Sequence, residues 1–159
     1  MRQDFFKALY EEMLKDERIF VLTGDLGYGL LDTIRQEFPS RFINCGASEQ
    51  VMMDIAVGMT YEGKIPFVYS ITPFLLYRPF ETIRTYIDYE KLHVVLVGSG
   101  RDLDYHEDGF THHATDDKIV MRSFPNINCL WPETGTKMET IINDVLKFKR
   151  PSYINLTRK

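Results

Sequence analysis

The sequence predicts an α/β protein in which a mainly parallel sheet lies between two layers of helices. First, short apolar segments alternate with amphipathic segments along the whole chain, as in repeated strand–helix units. Second, the segment His93-Val94-Val95-Leu96-Val97 has a continuous apolar run, as in a parallel strand covered on both faces. Third, glycines follow several predicted strands, where the chain must turn into a helix. Together these observations predict a three-layer α/β/α architecture.

Local signals justify each element of the first half of the chain. Apolar residues recur at helical spacing between positions 5 and 14, and Pro39 ends a short helix. Ser48 is a favourable N-cap for the helix that contains Glu49. The predicted elements are, in order, a helix over 5–14, a strand over 20–23, a glycine-rich turn over 24–29, a helix over 30–38, a strand over 41–44, a helix from 49 to about 63 and a strand over 66–71.

The second half continues the same alternation. Aromatic and aliphatic residues between positions 74 and 89 predict one long helix, and a polar loop follows the next strand. The predicted elements are, in order, a helix over 74–89, a strand over 93–97, a loop over 98–112, a helix over 116–124, a strand over 127–131, a helix over 137–148 and a strand over 152–156. The pattern contains no linker or internal repeat, so we expect residues 1–159 to form a single domain.

Composition and charge restrict the class of protein. The net charge is −4, so electrostatics favour neither nucleic acid nor an anionic membrane as a partner. No apolar run reaches the length of a membrane span, and Asp4 and Lys7 interrupt the N-terminal segment, which therefore does not read as a signal peptide. Cys45 and Cys129 lie in apolar surroundings, which predicts two buried thiols in a reducing cytoplasm.

Two local clusters raise the question of a bound ligand. The glycines after the strands lack the spacing of a dinucleotide or NTP site. A crowded polar segment has enough ligands for zinc or another divalent ion, although it lacks the paired spacing of a recognised site. Its members are His106, Glu107, Asp108, His112, His113, Asp116 and Asp117. A solvated acidic loop is the alternative explanation.

Glu49 occupies a position at which α/β proteins place functional residues. It falls in the first turn of a predicted helix, shortly after the strand over 41–44 and the turn residue Gly46. Ligands bind outside the carboxyl ends of the strands in such sheets. An acidic residue in a first helical turn also has an ordinary explanation, because it complements the helix dipole. Position alone leaves both explanations open.

Several blocks of the sequence resemble, in the same order, the pyrimidine-binding domain of transketolases and deoxyxylulose-phosphate synthases. Gly46-Ala47-Ser48-Glu49-Gln50 is similar to the family motif G-x-x-E-Q/H. Two further blocks are Thr23-Gly24-Asp25-Leu26 at a strand end and residues 151–158 at the closing strand. Residues 73–84 resemble the family pattern F-x-x-x-R-x-x-E-x-I-R, and residues 107–112 resemble E-D-G-P-T-H. The resemblance covers nearly the whole chain. It implies the thiamine-diphosphate-binding fold, with residues 1–159 as one pyrimidine-binding domain.

The resemblance implies that thiamine diphosphate is the cofactor and that Glu49 is catalytic. In the family, a glutamate hydrogen-bonds a ring nitrogen of the aminopyrimidine, and the cofactor's own nitrogen then takes the proton that must leave the thiazolium carbon. Phe74 is expected to stack on the pyrimidine, with Tyr77 nearby and Asp25 close to the cofactor at its strand end. Helix packing is the alternative explanation for Phe74 and Tyr77.

A sugar substrate is also implied by the resemblance. Arg2 matches a family arginine that meets a substrate phosphate, although an N-terminal arginine is usually disordered. Asp108 and His112 match a loop that faces the hydroxyl groups and carbonyl of the sugar. The substrate half of the site is altered, because three positions depart from the family pattern. These positions are Gly29, Gly100 and Phe110.

The sequence contains no Gly-Asp-Gly, with which the family's G-D-G…N motif for diphosphate and magnesium begins. The resemblance therefore implies a partner subunit that carries this motif and holds Mg²⁺, with no metal ligands on this chain. We expect a homodimer of this chain within an α2β2 heterotetramer. The expected function is a transketolase-like transferase of carbohydrate metabolism that moves a two-carbon ketol unit between sugars. The alternatives are a subunit of a 2-oxo acid decarboxylase or carboligase, and a non-catalytic binding module that kept the fold.

Overall fold

The computed structural model describes residues 1–158, and these contain one six-stranded sheet in which every neighbouring pair of strands is parallel. The strands are β1 (Ile19–Thr23), β2 (Phe42–Asn44), β3 (Ile65–Ile71), β4 (Val95–Ser99), β5 (Asn128–Leu130) and β6 (Ser152–Leu156). Their order across the sheet is β2-β1-β3-β4-β6-β5. The predicted parallel α/β fold is confirmed.

Helices connect the strands. They are α1 (Arg2–Met13), α2 (Asp32–Glu37), α3 (Glu49–Tyr61), α4 (Thr72–Tyr77), α5 (Phe80–Thr82), a π-helical segment (Ile83–Asp88), α6 (Asp117–Met121) and α7 (Met138–Phe148). Two single 3-10 turns, His106–Asp108 and Phe110–His112, interrupt the predicted polar loop. Within residues 1–158, no helix combines the length and the apolar character that crossing a membrane requires.

Each face of the sheet has its own hydrophobic core, because consecutive residues of a strand point to opposite faces. Val21 and Phe67 belong to the core that α1 and α7 cover. Leu22 and Val68, the next residues along the same strands, belong to the core that α3 and α4 cover. Complete burial of one such side chain stabilises the fold by about 1.5–3 kcal/mol. One core on each face of the sheet, each covered by helices, gives a helix layer, a sheet layer and a second helix layer.

The prediction of a single helix over 74–89 is wrong. Helix α4 ends at Tyr77, and Pro79 separates it from α5 and the π-helical segment. Proline has no amide hydrogen, and its ring clashes with the carbonyl oxygen four residues earlier, so a regular α-helix does not continue through it. Arg78 therefore stands at the end of a short helix.

Two smaller predictions also need correction. Ser48 directly precedes α3, but its hydroxyl makes no capping hydrogen bond, and its backbone N–H instead closes a tight turn onto Gly46 O at 2.8 Å. Cys45 and Cys129 are free thiols that are half-buried rather than buried, because they lie on or just after the edge strands β2 and β5. Partial removal from water raises the pKa of both thiols, that of Cys129 to about 11.

Candidate functional site

Glu49 is the first residue of α3, and its side chain is only 2% exposed. The Ser70 hydroxyl, near the end of β3, donates a hydrogen bond to Glu49 Oε1 at 3.0 Å. Arg78 Nη1 donates to Glu49 Oε2 at 2.5 Å and forms an ion pair with it. The fold thus holds a buried carboxylate at the carboxyl edge of the sheet.

Gly24, the residue after β1, shows how closely this carboxylate is seated against the sheet. A Cβ atom placed on this glycine lies 3.2 Å from Glu49 Oε1 and 3.3 Å from Ser70 Oγ. Such distances are tighter than ordinary van der Waals contact, so a larger residue presses on both atoms. The glycine leaves the space that the Glu49 carboxylate occupies.

An aromatic ring and a guanidinium lie beside Glu49. Arg78 Cζ is 3.9 Å from the centroid of the Phe74 ring, so the guanidinium covers one face of that ring. The His112 ring meets Phe74 edge-on, with the two centroids 4.8 Å apart. The structure therefore brings together three of the predicted residues, Glu49, Phe74 and His112. We call these three residues, with Ser70 and Arg78, the Glu49 group.

Sequence reasoning missed Arg78 and Ser70. Arg78 follows Phe74 by four residues, and this spacing places both side chains on one side of a helix. The signal that could identify it was therefore present in the aromatic block. Ser70 gives a weaker signal, namely a polar residue near the end of an otherwise apolar strand.

Tyr77 has a different partner. Its hydroxyl donates a hydrogen bond to the Asp116 carboxylate, which directly precedes α6. Partial burial, together with the nearby negative charge of Asp116, raises the pKa of the Tyr77 hydroxyl. The structure therefore joins Tyr77 to α6, whereas Phe74 on the same helix contacts Arg78 and His112.

Asp25 lies at the same edge of the sheet, in an exposed turn after β1. Its φ of 57° is in the left-handed region, which is uncommon for a residue other than glycine. The Tyr28 hydroxyl donates to Asp25 Oδ1 at 2.6 Å, and Asn44 Nδ2 donates to the same oxygen at 3.2 Å. The hydrogen bond from Tyr28, followed by that from Asn44, lowers the pKa of the Asp25 carboxyl.

Arg2 is held in place by several hydrogen bonds, which corrects the ordinary expectation of a disordered terminus. Its Nε and Nη2 atoms donate to the carbonyl oxygen of Arg158 at 3.2 and 2.8 Å. Its Nη1 atom lies 3.3 Å from both Ser99 Oγ and Tyr105 Oη. Arg2 and Asp25 line one open cleft of about 730 Å³. Two predicted site residues thus share this cleft.

The motif over 107–112 divides between two environments. His112 contacts Phe74, whereas Asp108 is exposed on the preceding 3-10 turn. In the part of the chain that the structure describes, no three His, Cys, Asp or Glu side chains are arranged to hold a metal ion. The polar segment therefore does not assemble the divalent-ion site that its composition allows.

A second buried carboxylate belongs to Asp117, which is 3% exposed and begins α6. Its Oδ2 atom accepts hydrogen bonds from Trp131 Nε1 at 2.7 Å, Asn155 Nδ2 at 2.7 Å and Tyr153 Oη at 2.9 Å. The sequence suggested Asp117 only as a possible metal ligand. The contacts instead tie α6 to β6 and to the segment after β5.

The family model described as "Transketolase, pyrimidine binding domain" matches residues 1–159. The chain belongs to this family. A putative transketolase C-terminal section from Methanocaldococcus jannaschii is 33% identical over 160 residues, which cover 100% of this chain and 51% of the relative. The 6-deoxy-6-sulfo-D-fructose transketolase subunit SqwH of a Clostridium species is 30% identical over 160 residues, which cover 100% of this chain and 50% of the relative.

Solved transketolase structures are similar to this chain over nearly its whole length. A split-gene transketolase, described as an inactive beta4 tetramer, superimposes with a TM-score of 0.85 at 32% identity and covers 99% of this chain and 51% of that one. A mutant transketolase from Pichia stipitis also gives a TM-score of 0.85, at 18% identity over 99% of this chain and 25% of that one, which supports the fold alone. The chain spans about half the length of the curated relatives it matches.

Proposed function

We propose that this chain is the pyrimidine-binding subunit of a split, thiamine-diphosphate-dependent enzyme that transfers a two-carbon ketol unit between sugars. The observation that carries the proposal is the buried Glu49 carboxylate, which Ser70 holds at one oxygen while an exchangeable donor occupies the other. Membership of the family and the subunit name of the Clostridium relative support it. In this proposal residues 1–159 act as one pyrimidine-binding domain.

The Glu49 group fits an aminopyrimidine ring. Glu49 Oε2 accepts a hydrogen bond from Arg78, whose side chain is 44% exposed. When Arg78 moves away, this oxygen can accept a hydrogen bond from a protonated ring nitrogen instead. Phe74 offers an aromatic face beside that oxygen. The group therefore fits the pyrimidine half of the cofactor.

These residues have distinct roles in the proposed reaction. Thiamine diphosphate, when bound, supplies an electron sink next to the substrate carbonyl. Glu49 binds the ring nitrogen through Oε2 and exchanges a proton there, while Ser70 fixes the carboxylate through Oε1. Phe74 orients the ring by stacking. Because Glu49 is 2% exposed, little water competes for this hydrogen bond, which the low local dielectric strengthens.

The remaining predicted residues are proposed to serve the substrate and the rim of the site. Arg2 presents its guanidinium to the cleft that it shares with Asp25, which suits a sugar phosphate beside the cofactor. His112 touches Phe74, so it can reach a substrate bound over the ring, and Asp108 lies on the adjacent turn. Tyr77 supports the rim by holding α4 against α6 through its bond to Asp116.

A partner subunit is proposed to hold the diphosphate and Mg²⁺ with a G-D-G…N motif. The support is that one relative is named a transketolase C-terminal section, another is named a transketolase subunit, and one similar structure is described as a split-gene transketolase. We propose a homodimer of this chain within an α2β2 heterotetramer, since two-fold symmetry is the commonest arrangement of oligomers. Two free thiols suit a reducing, cytoplasmic environment.

Reconstitution tests the proposal. The chain is co-expressed with a subunit that carries G-D-G…N, cofactor binding is followed by calorimetry, and ketol transfer between sugar phosphates is assayed with Glu49→Gln as the matched variant. We expect magnesium-dependent binding by the mixture, poor binding by this chain alone, and light scattering that indicates four chains. Release of CO₂ from a 2-oxo acid would support the decarboxylase instead. Binding without turnover would support a non-catalytic module, and no binding by the mixture would contradict the proposal.

A further inference from the structure

The geometry points to Arg78 as a placeholder for the aminopyrimidine ring, which fills the cofactor pocket of the free subunit and leaves when thiamine diphosphate enters. The inference rests on the proposed function. It adds to that function a competing internal ligand, supplied by the same chain that provides the catalytic carboxylate.

One guanidinium makes both of the contacts that the proposed function assigns to the pyrimidine. Arg78 Nη1 donates to Glu49 Oε2 at 2.5 Å, the oxygen that is not bonded to Ser70. The same guanidinium lies over the Phe74 ring, with Cζ 3.9 Å from the centroid. A guanidinium is planar, carries donors along its edge and stacks on aromatic faces. In these three properties it resembles an aminopyrimidine whose ring nitrogen is protonated and donates to a carboxylate.

The two sides of this ion pair differ in their freedom to leave. The Glu49 side chain is 2% exposed and is fixed at Oε1 by Ser70, whereas the Arg78 side chain is 44% exposed. Arg78 also stands at the end of α4, directly before Pro79, so its long side chain can turn into water without unfolding a helix. Displacement therefore moves Arg78 and leaves the carboxylate in place.

The guanidinium and the pyrimidine cannot be bound together, because they use the same carboxylate oxygen and the same aromatic face. Only the fraction of molecules in which Arg78 has turned away can accept the cofactor, and the apparent affinity is reduced by that fraction. In return, Glu49 has a counter-charge before assembly, which matters because a buried carboxylate without a partner is strongly disfavoured. The pair thus compensates the charge of Glu49 in the free subunit until the cofactor enters.

Calorimetric titration of thiamine diphosphate and Mg²⁺ into the reconstituted complex tests this inference. We compare wild type, Arg78→Met and the control Arg84→Met, which changes an exposed arginine of the same motif block. Arg78→Met is expected to bind the cofactor about threefold to tenfold more tightly, which corresponds to removing a competing state that is about 70–90% populated. Arg84→Met is expected to match wild type.

Thermal unfolding of the free subunit gives a second measurement that needs no cofactor. Arg78→Met should lower the melting temperature, because it leaves Glu49 buried without its counter-charge, and Arg78→Met/Glu49→Gln should recover most of that loss. If Arg78→Met does not fold, Arg78→Gln replaces it. The neutral amide can still bond to the carboxylate but competes less strongly than a charged guanidinium, so a smaller gain in cofactor affinity over wild type is then expected.

The outcomes separate the inference from the proposed function. If wild type binds thiamine diphosphate and Arg78→Met binds it equally or more weakly, Arg78 is not a placeholder, while the proposed function stands. If no complex binds the cofactor, wild type included, the proposed function fails and the inference fails with it. Tighter binding by Arg78→Met, with a less stable free subunit, supports the inference.

Discussion

Glu49 and Asp117 are carboxylates buried to almost the same depth, 2% and 3% exposed, but their partners differ in kind. Asp117 accepts hydrogen bonds from three uncharged side chains that belong to β6 or follow β5. Glu49 accepts one bond from the uncharged Ser70 and one from Arg78, which is half-exposed. Burial alone therefore does not distinguish the two residues.

The two carboxylates also differ in whether a donor can leave. Two of the donors to Asp117, Tyr153 and Asn155, are fully buried on β6, and the third, Trp131, is partly buried, so the set cannot leave without disrupting the core. Arg78 can exchange its bond to Glu49 for bonds to water, which frees one carboxylate oxygen for a ligand. We infer that Asp117 stabilises the junction of α6 with the sheet and that Glu49 serves the reaction.

The largest expected effect is the loss of turnover in Glu49→Gln. The amide keeps the shape of the side chain but cannot exchange a proton, so kcat of the reconstituted enzyme should fall by about 10²–10⁴-fold. Steady-state ketol transfer measures this loss, and circular dichroism checks that the fold is retained. Asp117→Asn is the matched isosteric control and should change stability more than kcat. Near-normal turnover by a folded Glu49→Gln enzyme would contradict the catalytic role of Glu49.

The next effect concerns stability, and here substitution of Asp117 should have a larger effect than substitution of Glu49. Asp117→Ala removes the shared acceptor of three donors, two of which are fully buried, so the free energy of unfolding should fall by about 2–4 kcal/mol. Glu49→Ala should cost less, about 1 kcal/mol, because Arg78 can turn to water and only Ser70 loses an acceptor. Urea denaturation of the free subunit measures both values. Equal losses for the two variants would contradict the proposed division.

The sequence was sufficient to predict the fold and the place of Glu49 at the edge of the sheet, because both depend on local signals. The catalytic role of Glu49 rests on the family resemblance and stays a prediction. The alternation of apolar and amphipathic segments predicts the parallel sheet, and a glutamate in the first turn after a strand lies at its carboxyl edge. The break at Pro79 was missed although proline is itself a local signal. The aromatic pattern extends on both sides of it, and that pattern outweighed the proline in the prediction.

The partners of the two carboxylates were missed for a different reason. Arg78 lies 29 residues from Glu49 along the chain, and Tyr153 lies 36 residues from Asp117. Only the sheet order, which places β6 beside β4 and α4 against the end of β3, brings such residues together. Periodicity gives no information on which polar side chain meets which across that distance. The same holds for the different surroundings of Asp108 and His112, which the motif sets only four positions apart.

A smaller effect is expected at Asp108 and His112. His112→Ala should lower kcat/KM by about tenfold, and Asp108→Ala by less, because His112 touches Phe74 whereas Asp108 is exposed. The affinity for thiamine diphosphate should stay close to wild type in both variants, which calorimetry can measure. If both variants instead lose a bound divalent ion, as metal analysis would show, the loop is a metal site and the substrate role is wrong.

The smallest effect concerns a third carboxylate, Asp25, which is exposed and thus contrasts with both buried ones. The bonds from Tyr28 and Asn44 lower its pKa, so the folded carboxyl holds its proton less tightly than the unfolded one. Its contribution to stability is therefore present above the unfolded pKa, about 3.9, and is lost as the pH falls through the folded pKa.

Tyr28→Phe tests this arrangement, because it removes the larger of the two causes and leaves Asn44. The pKa of Asp25 should rise toward its ordinary value, which NMR titration of the carboxyl carbon can follow. The stability of wild type should exceed that of the variant at neutral pH, and the difference should shrink as the pH falls below about 4. Solvent screens an exposed carboxylate, so this difference should be well below that of Asp117→Ala. An unchanged Asp25 titration in the variant would show that the Tyr28 hydroxyl does not hold this carboxylate in solution.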